Sequence, residues 1–372
     1  MASLVVTLLG GLHLRLAAGT VLTVPSKKAR ALAAYLSMPP GTAYSHATLM
    51  RLLWGEPDDQ YARRAFAEDV ASLRTALVSA ALSDVLIEGD QIWLNRAAVE
   101  VDVVGLERLI AEGTPASIER AAALYGGHFL ERFAVDTPRF MEWVFAQRDR
   151  LKKLAVGAME DLLKHQMRNN TAEPAIRTAL RMLEIDPFRE PVHRALMRLY
   201  ADQGRAGAAL RQYQTVQSVV QGQPSPETRK LYEEILGQIF RAKPAPTPGP
   251  KSILIVDDEA ASRTLIEQAL RTAGYKVIAA EDGADALLKL GGQKVDLVLC
   301  DVNMPNLTGV QLLDIMHKHA IETPVLFVTG YSPDEVESQG LALGQDDYIQ
   351  KPFRQAALIE LVRKAIERGA PR

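Results

Sequence analysis

Short, continuous apolar runs dominate the last third of the chain, and a polar residue follows each of them. The runs at 253–256, 297–300 and 325–328 are typical of strands buried on both faces of a parallel sheet. The polar residues that end such strands meet at the carboxyl edge of the sheet, where open α/β folds place their sites. Here they are Asp257, Asp258, Asp301 and Thr329, joined by Lys351 just after the run at 348–350.

The middle of the chain, residues 102–240, carries apolar residues at helical spacing and predicts helix throughout. A weak repeat lies within it at a shift of 34 residues, which is the period of helix-turn-helix tetratricopeptide units. The recurring positions are Asn170, Ala175 and Arg177, which return as Gly204, Ala209 and Arg211.

The first 95 residues predict short strands, then three helices, then a hairpin. Strands are expected at 4–9, 12–16 and 21–24, and the hairpin pairs 85–88 with 91–94 across Gly89-Asp90. Side-chain caps mark the helix starts: Ser26 begins a helix to Leu36, Ser45 one to Leu53, and Asp59 one to about Leu77. Three helices that end in a hairpin are the layout of a winged helix.

These patterns predict a multidomain protein. An α+β winged helix spans residues 1–95, an all-α, TPR-like helical domain spans 96–242, and an α/β domain with a doubly wound parallel sheet spans 251–372. Residues 243–250 have proline at alternate positions, which forbids helix and favours an extended spacer between domains.

Composition and charge favour a cytoplasmic protein. Hydrophobic residues make up 48% and charged residues 24%, as in ordinary soluble proteins. The lone cysteine, Cys300, excludes an internal disulfide and fits a reducing compartment, and we expect a buried, inert thiol. The sequence predicts neither a signal peptide nor a membrane span. The net charge is −2, distributed as 0 over residues 1–95, +3 over 96–250 and −5 over 251–372.

The strand-end residues suit a divalent cation and a phosphoryl group. Mg²⁺ prefers one or two carboxylates together with phosphate oxygens and water, and Asp257, Asp258 and Asp301 could supply the carboxylates. Asp301 could attack an incoming phosphoryl group and form an acyl phosphate. Lys351 would offset the added charge, and Thr329 could bond a phosphoryl oxygen. The Lys351-Pro352 bond suits a cis peptide.

Residues 251–372 resemble the receiver domain of two-component response regulators. The resemblance implies a flavodoxin-like, five-stranded parallel sheet with helices on both faces. It also implies that Asp301 is the phosphoacceptor, and that Asp258, Asp301 and the carbonyl of Asn303 bind Mg²⁺ with help from Asp257. Thr329 and Tyr348 would form the switch. The motifs that carry the resemblance are Val256-Asp257-Asp258-Glu259, Cys300-Asp301-Val302-Asn303-Met304-Pro305, Gly309, Val328-Thr329-Gly330 and Asp347-Tyr348-Ile349-Gln350-Lys351-Pro352-Phe353.

Residues 1–240 resemble the SARP-type regulators, which join a winged-helix DNA-binding domain to a helical bacterial transcriptional activator domain. The resemblance implies DNA binding and transcriptional control. It is carried by segments that include Ser26-Lys27-Lys28-Ala29-Arg30-Ala31-Leu32, Leu52-Leu53-Trp54-Gly55, Ala62-Arg63-Arg64-Ala65-Phe66, Leu183-Glu184-Ile185-Asp186-Pro187-Phe188-Arg189-Glu190 and Pro224-Ser225-Pro226-Glu227.

The third predicted helix gives mixed signals about DNA. Its core face is expected to carry Ala62, Phe66, Val70, Leu73 and Leu77. Glu68 and Asp69 lie elsewhere on the helix and would meet the negative field of DNA, and a neutral domain gains little affinity from counterion release. The candidate DNA-contacting residues are Lys27, Lys28, Arg63, Arg64 and Arg74.

The leading hypothesis is a response regulator that a sensor histidine kinase or phosphotransfer protein phosphorylates on Asp301, with DNA binding as the output. Phosphorylation could create a homodimer surface on the receiver around Tyr348. One alternative is a phosphorylation-controlled protein-interaction module that does not read DNA. Another is a phosphate sink. No motif in the chain supports an independent enzyme.

Overall fold

The computed structural model describes residues 3–220, 223–241, 249–305, 307–330 and 347–368. The chain divides into two compact units, Met1–Pro187 and Phe188–Arg372. This division does not coincide with the domain boundaries predicted at residues 95 and 242, which stay predictions. Most of the predicted spacer, residues 243–248, lies outside the described part of the chain.

The first unit begins with mixed strands and helices and ends in helices. Its strands are β1 (Leu4–Thr7), β2 (His13–Leu16), β3 (Tyr44–Ser45), β4 (Leu86–Glu88), β5 (Gln91–Leu94) and β6 (Val99–Val101). Its helices are α1 (Lys27–Leu36), α2 (His46–Leu53), α3 (Gln60–Ser79), α4 (Asp102–Glu112), α5 (Pro115–Leu124), α6 (Pro138–Arg168) and α7 (Ala172–Ile185).

The three helices α1, α2 and α3 and the hairpin of β4 and β5 form in the predicted order. Each helix begins after its predicted cap: Ser26 Oγ accepts from Ala29 N at 3.2 Å, and Ser45 Oγ accepts from Thr48 N at 3.2 Å. Asp59 Oδ1 accepts from Tyr61 N at 2.8 Å. The buried residues of α3 are those predicted for its core face, namely Ala62, Phe66, Val70, Leu73 and Leu77.

Two small sheets complete this region, in the orders β2-β1-β6 and β3-β5-β4. The strand predicted at Val21–Val24 is wrong, because Val21 forms an isolated bridge with Arg15 and no strand follows it. Leu22 N still donates to Leu14 O at 2.8 Å. The chain then reaches Pro25, which has no N–H with which to continue a ladder.

Helix throughout residues 102–240 is also wrong, because residues 125–137 are not helical. This segment lies along the first strand region instead: Gly10 N donates to His128 O at 3.0 Å and Leu130 N donates to Leu8 O at 2.7 Å. A Cβ at Gly127 would lie 2.8 Å from Gly10 Cα, so glycine permits this close approach. The backbone groups of the segment are satisfied by pairing across the sequence rather than within a helix.

The second unit contains three helices followed by an α/β domain. The helices are α8 (Glu190–Asp202), α9 (Ala206–Val219) and α10 (Pro226–Ile239). The α/β domain contains β7 (Ser252–Val256), α11 (Ala260–Thr272), β8 (Lys276–Ala280), α12 (Gly283–Gly292), β9 (Leu297–Asp301), α13 (Gly309–Lys318), β10 (Val325–Thr329), β11 (Tyr348–Gln350) and α14 (Gln355–Arg368).

The predicted five-stranded parallel sheet is confirmed, with the strand order β11-β10-β9-β7-β8. Two buried clusters cover its faces because strand residues point alternately to opposite sides. Ile253, Ile255 and Leu299 belong to one cluster, and Leu254, Val256 and Cys300 belong to the other. None of the described helices is long and apolar enough to cross a membrane.

The 34-residue period predicted from the sequence is present in the helix boundaries. Helices α6 and α8 end at Arg168 and Asp202, and α7 and α9 span Ala172–Ile185 and Ala206–Val219, in each case 34 residues apart. Asn170 and Gly204 occupy the same place in the turn, with φ values of 56° and 72°. Ala175 and Ala209 are both fully buried.

Candidate functional site

Four strand ends bring the predicted polar residues to one edge of the five-stranded sheet. Asp257 directly follows β7, Asp301 and Thr329 are the last residues of β9 and β10, and Lys351 directly follows β11. The strands are in register, because Val328 of β10 lies beside Asp301 and Gln350 of β11 lies beside Thr329. The carboxylates, Thr329 and the ammonium of Lys351 therefore lie together at one edge of the sheet.

Three carboxylates form a compact acidic cluster. One oxygen from each of Asp257, Asp258 and Asp301 lies within 4.8 Å of the others. Asp257 is buried, Asp301 is half-buried and Asp258 is exposed, so the cluster opens to solvent on one side. Hard oxygen donors with access to water are the donor set that Mg²⁺ prefers, and these residues therefore fit that ion.

Lys351 links two of the three carboxylates. Its Nζ lies 2.7 Å from Asp301 Oδ2 and 2.9 Å from Asp257 Oδ2. Burial alone would lower the pKa of the ammonium, but the hydrogen bonds to Asp301 and Asp257 and their negative charges outweigh burial and raise that pKa. The Lys351-Pro352 peptide is cis, in agreement with the sequence.

Asp257 is held in place by groups that the sequence did not reveal. The N–H of Glu259 donates to Asp257 Oδ1 at 2.8 Å, and Ser262 Oγ donates to Oδ2 at 2.6 Å. Arg263 Nη1 donates to the Asp257 carbonyl at 2.6 Å. Ser262 and Arg263 lie in the first turn of α11. Their position shortly after the aspartate pair is the sequence feature that could have predicted these contacts.

The loop after Asp301 is fitted tightly to the end of β9. Asn303 is exposed, and its N–H donates to Asp301 Oδ1 at 3.1 Å. A Cβ at Gly309 would overlap the carbonyl oxygen of Asp301 and would lie 3.1 Å from Cys300 Sγ. Gly309 therefore allows α13 to begin directly against the strand that carries Asp301.

The two predicted switch residues occupy different surroundings. Thr329 is fully buried at the end of β10, and its carbonyl accepts from Lys351 N at 2.7 Å. Tyr348 is half-buried, lies beside Phe327 of β10, and packs against the same buried cluster as Val256 and Cys300.

Cys300 is fully buried beside the site, as the sequence predicts. Its Sγ donates to the Asp301 carbonyl at 3.1 Å. Burial, together with the negative charges of Asp301 and Asp257, raises the pKa of the thiol well above its usual range. A protonated, buried thiol is a poor nucleophile, which fits a structural role.

The arginines predicted to contact DNA are exposed but already paired within the protein. Arg64 Nε donates to Glu68 Oε1 at 2.8 Å, and Arg74 forms an ion pair with Glu88 on the β4-β5 hairpin. Arg63 Nε donates to the Pro57 carbonyl at 2.6 Å. All three side chains remain at least half exposed, and exposed pairs of this kind contribute little energy.

The other DNA-facing candidates lie at the start of α1. Lys27 is exposed and Lys28 is half-buried. Asp69, expected to repel DNA, turns toward the protein instead, because its Oδ2 accepts from Trp54 Nε1 at 2.8 Å. Trp54 is half-buried and packs edge-on against Phe66, with ring centroids 5.1 Å apart.

Comparison with known families matches two parts of the chain. The family model for the response regulator receiver domain matches residues 253–363, and that for the bacterial transcriptional activator domain matches residues 101–236. The chain combines these two domains. Both resemblances drawn from the sequence are thus confirmed for these residues, and the winged-helix assignment of residues 1–95 stays a prediction.

The named relatives are regulators. The chain is 36% identical over 119 residues to the alkaline phosphatase synthesis transcriptional regulatory protein PhoP of Bacillus subtilis, covering 32% of this chain and 50% of PhoP. It is 35% identical over 123 residues to the phosphate regulon transcriptional regulatory protein PhoB of Pseudomonas aeruginosa, covering 32% of this chain and 54% of PhoB. The chain thus spans about half the length of these curated relatives. Both names describe transcriptional regulatory proteins.

A solved receiver domain also matches. The Francisella response regulator 1452 receiver domain is 32% identical, with a TM-score of 0.30, covering 32% of this chain and 99% of the solved chain.

Proposed function

We propose that this chain is a transcriptional response regulator in which Asp301 accepts a phosphoryl group. The observation that carries the proposal is the geometry at the sheet edge, where Asp301 lies within hydrogen-bonding distance of Lys351 and beside two further carboxylates. The donor would be a phosphohistidine on a sensor histidine kinase or on a phosphotransfer protein.

The transfer exchanges one bond to phosphorus for another. A carboxylate oxygen of Asp301 attacks the phosphorus, an acyl phosphate forms, and the bond from phosphorus to the donor breaks with its electron pair going to the donor. The half-buried position of Asp301 leaves it open to an incoming donor, while the adjacent ammonium of Lys351 offsets the charge of the added group.

Asp257, Asp258, Asp301 and the carbonyl of Asn303 would hold Mg²⁺. When bound, the ion would offset negative charge on the carboxylates and on the phosphoryl group. Ser262 and the N–H of Glu259 keep Asp257 oriented toward the cluster. The Thr329 hydroxyl would move to hydrogen-bond the phosphoryl group, and the Tyr348 ring would then turn inward. These two residues would form the switch.

Replacing Asp301 with Asn tests the acceptor. The variant keeps the size and shape of the side chain but is a poor nucleophile, so we expect labelling by radioactive acetyl phosphate in Mg²⁺ to be lost. Asp314→Asn, at an exposed position of α13, is the matched control and should label like the unmodified chain. Undiminished labelling of the Asp301 variant would overturn the assignment.

We further propose DNA binding as the output, through a winged helix formed by α1, α2, α3 and the β4-β5 hairpin. The layout of these elements and the exposed arginines of α3 support this output. A second candidate, a phosphorylation-controlled protein-interaction module, is favoured by the ion pairs that hold Arg64 and Arg74. A phosphate sink would have neither output.

Selection from a randomised duplex DNA library, performed on the whole chain, separates these outputs. A DNA reader should enrich a shared sequence, and its affinity should fall steeply with salt because phosphate contacts release counterions. Arg64→Ala should weaken binding, whereas Arg198→Ala, at an exposed position of α8, should not. No binding at low salt, with or without beryllofluoride, would end the DNA proposal.

A further inference from the structure

The last helices of the activator domain share one buried core with the receiver. Leu210 and Tyr213 of α9 and Ile235 of α10 belong to the same hydrophobic cluster as Leu287 and Leu290 of α12. All of them are less than a tenth exposed. The receiver therefore covers apolar surface that α9 and α10 would otherwise present to water.

Glycines allow close approach on both sides of this contact. A Cβ at Gly207 of α9 would lie 2.8 Å from Leu288 Cδ1 of α12. A Cβ at Gly291 of α12 would lie 2.7 Å from the backbone oxygen of Ile239 at the end of α10. Leu288 Cδ1 is the end of a flexible side chain and could move aside, whereas the Ile239 oxygen belongs to the backbone, so Gly291 is the position where the close fit requires glycine.

Arg211 forms hydrogen bonds across one end of the contact. Its Nε donates to Asp282 Oδ2 at 2.7 Å, and its Nη2 donates to Glu281 Oε1 at 3.2 Å. Asp282 is also the N-cap of α12, since its Oδ1 accepts from Asp285 N at 2.7 Å. Arg211 thus holds the position where α12 begins.

This end of α12 adjoins the acidic cluster. Ala280, the last residue of β8, precedes the two acidic partners of Arg211, and its carbonyl accepts from Asp257 N at 3.3 Å. Gly283, the first residue of α12, lies directly against Leu307 in the loop that follows Asp301. A rearrangement around Asp301 would therefore reach the start of α12 through both neighbours.

We propose that this contact is a docking surface whose strength depends on the state of Asp301, with Arg211 as the positioning residue that ties α9 to the receiver. The inference rests on the proposed phosphoacceptor role of Asp301. It gives the signal a route into the activator domain through α12, because a two-state element that both sites contact can carry coupling between them.

Reciprocity supplies the test. If a phosphoryl mimic at Asp301 changes the docking equilibrium by some factor, then docking must change the affinity of the Asp301 site for that mimic by the same factor. Variants that weaken docking should therefore change this affinity. The probe is beryllofluoride with Mg²⁺, titrated into the whole chain by calorimetry. Docking is followed separately by the hydrogen exchange of the α9 amides.

Arg211→Met and Asp282→Asn are the informative variants, because Asn retains the ability to cap α12. Both should speed exchange in α9 and change beryllofluoride affinity by at least about twofold, the scale of a partly exposed ion pair. The double variant should change little beyond either single one. Arg198→Met, at an exposed position of α8, should leave both measurements unchanged.

Two outcomes would overturn the coupling. One is faster α9 exchange in the Arg211 and Asp282 variants with unchanged beryllofluoride affinity, and the other is α9 exchange that neither variant alters. Failure of the phosphoacceptor role looks different, because the unmodified chain would then bind no beryllofluoride, or would bind it equally well as Asp301→Asn.

Discussion

At the scale of single residues, Lys351 neutralises two carboxylates that face each other across the sheet edge. Lys351→Met leaves Asp257 and Asp301 without their shared partner, and Asp257 is almost fully buried. Because an unpaired buried charge is costly and this site is partly open to solvent, we expect the free energy of unfolding to fall by about 1–3 kcal/mol. Urea unfolding of the whole chain in Mg²⁺-free buffer measures this loss of stability.

Lys276→Met, at the exposed first residue of β8, is the matched control and should have little effect. Added Mg²⁺ should restore part of the lost stability of the Lys351 variant, since the ion would neutralise the same carboxylates. The folded-state pKa of Lys351 is raised, so its contribution is complete below the ordinary lysine value and is lost only as pH rises through the folded-state pKa. Loss of that contribution between pH 6 and 8, before lysine titrates, would contradict this account.

The sequence predicted some site residues and missed others for a physical reason. Asp257, Asp301 and Lys351 lie at or just after strand ends, and parallel strands bring their carboxyl ends together whatever lies elsewhere. Ser262 and Arg263 lie on helix α11. Their contacts with Asp257 depend on how that helix packs on the sheet, which local spacing does not determine.

At the scale of elements, short-range chemistry was the most predictable. Ser26, Ser45 and Asp59 mark helix starts because a cap and the N–H it accepts from lie within three residues. The non-helical segment at 125–137 was missed because its backbone pairs with residues near Leu8, far away in the sequence. The local spacing of apolar residues gives no information about a partner so far away in the sequence.

The 34-residue repeat yields a prediction for its two turns. Gly204 has a left-handed backbone with φ of 72°, so Gly204→Ala should destabilise the α8-α9 hairpin by about 1–2 kcal/mol. Gly204→Asn should cost less, because Asn170 already adopts this conformation in the preceding turn, with φ of 56°. Urea unfolding of the three proteins measures the order.

Gly237, inside helix α10, is the control for removing a glycine. A Cβ there meets no described atom within 4 Å, so Gly237→Ala should stabilise the protein by about 0.5–1 kcal/mol. Equal losses for alanine and asparagine at position 204 would show that the turn relaxes away from the left-handed conformation.

At the scale of the whole molecule, the shared core of α9, α10 and α12 was not predictable. The proline-rich segment at 243–250 indicates separate domains, and composition does not record which apolar faces meet. The second compact unit instead joins helices α8–α10 to the receiver. Domain boundaries drawn at composition changes therefore differ from the unit that packs together.

A fragment of residues 1–240 should consequently be less well packed than the same residues in the whole chain. Without α12, the part of the shared core formed by Leu210, Tyr213 and Ile235 loses its cover. We expect the fragment to bind the dye ANS and to show faster hydrogen exchange in α9 and α10, because exposed apolar surface and lost packing weaken these helices. Adding a separate fragment of residues 241–372 should reverse both changes. Unchanged exchange in α9 and α10 after truncation would mean that these helices are stable without the receiver, and that its docking adds little to their fold.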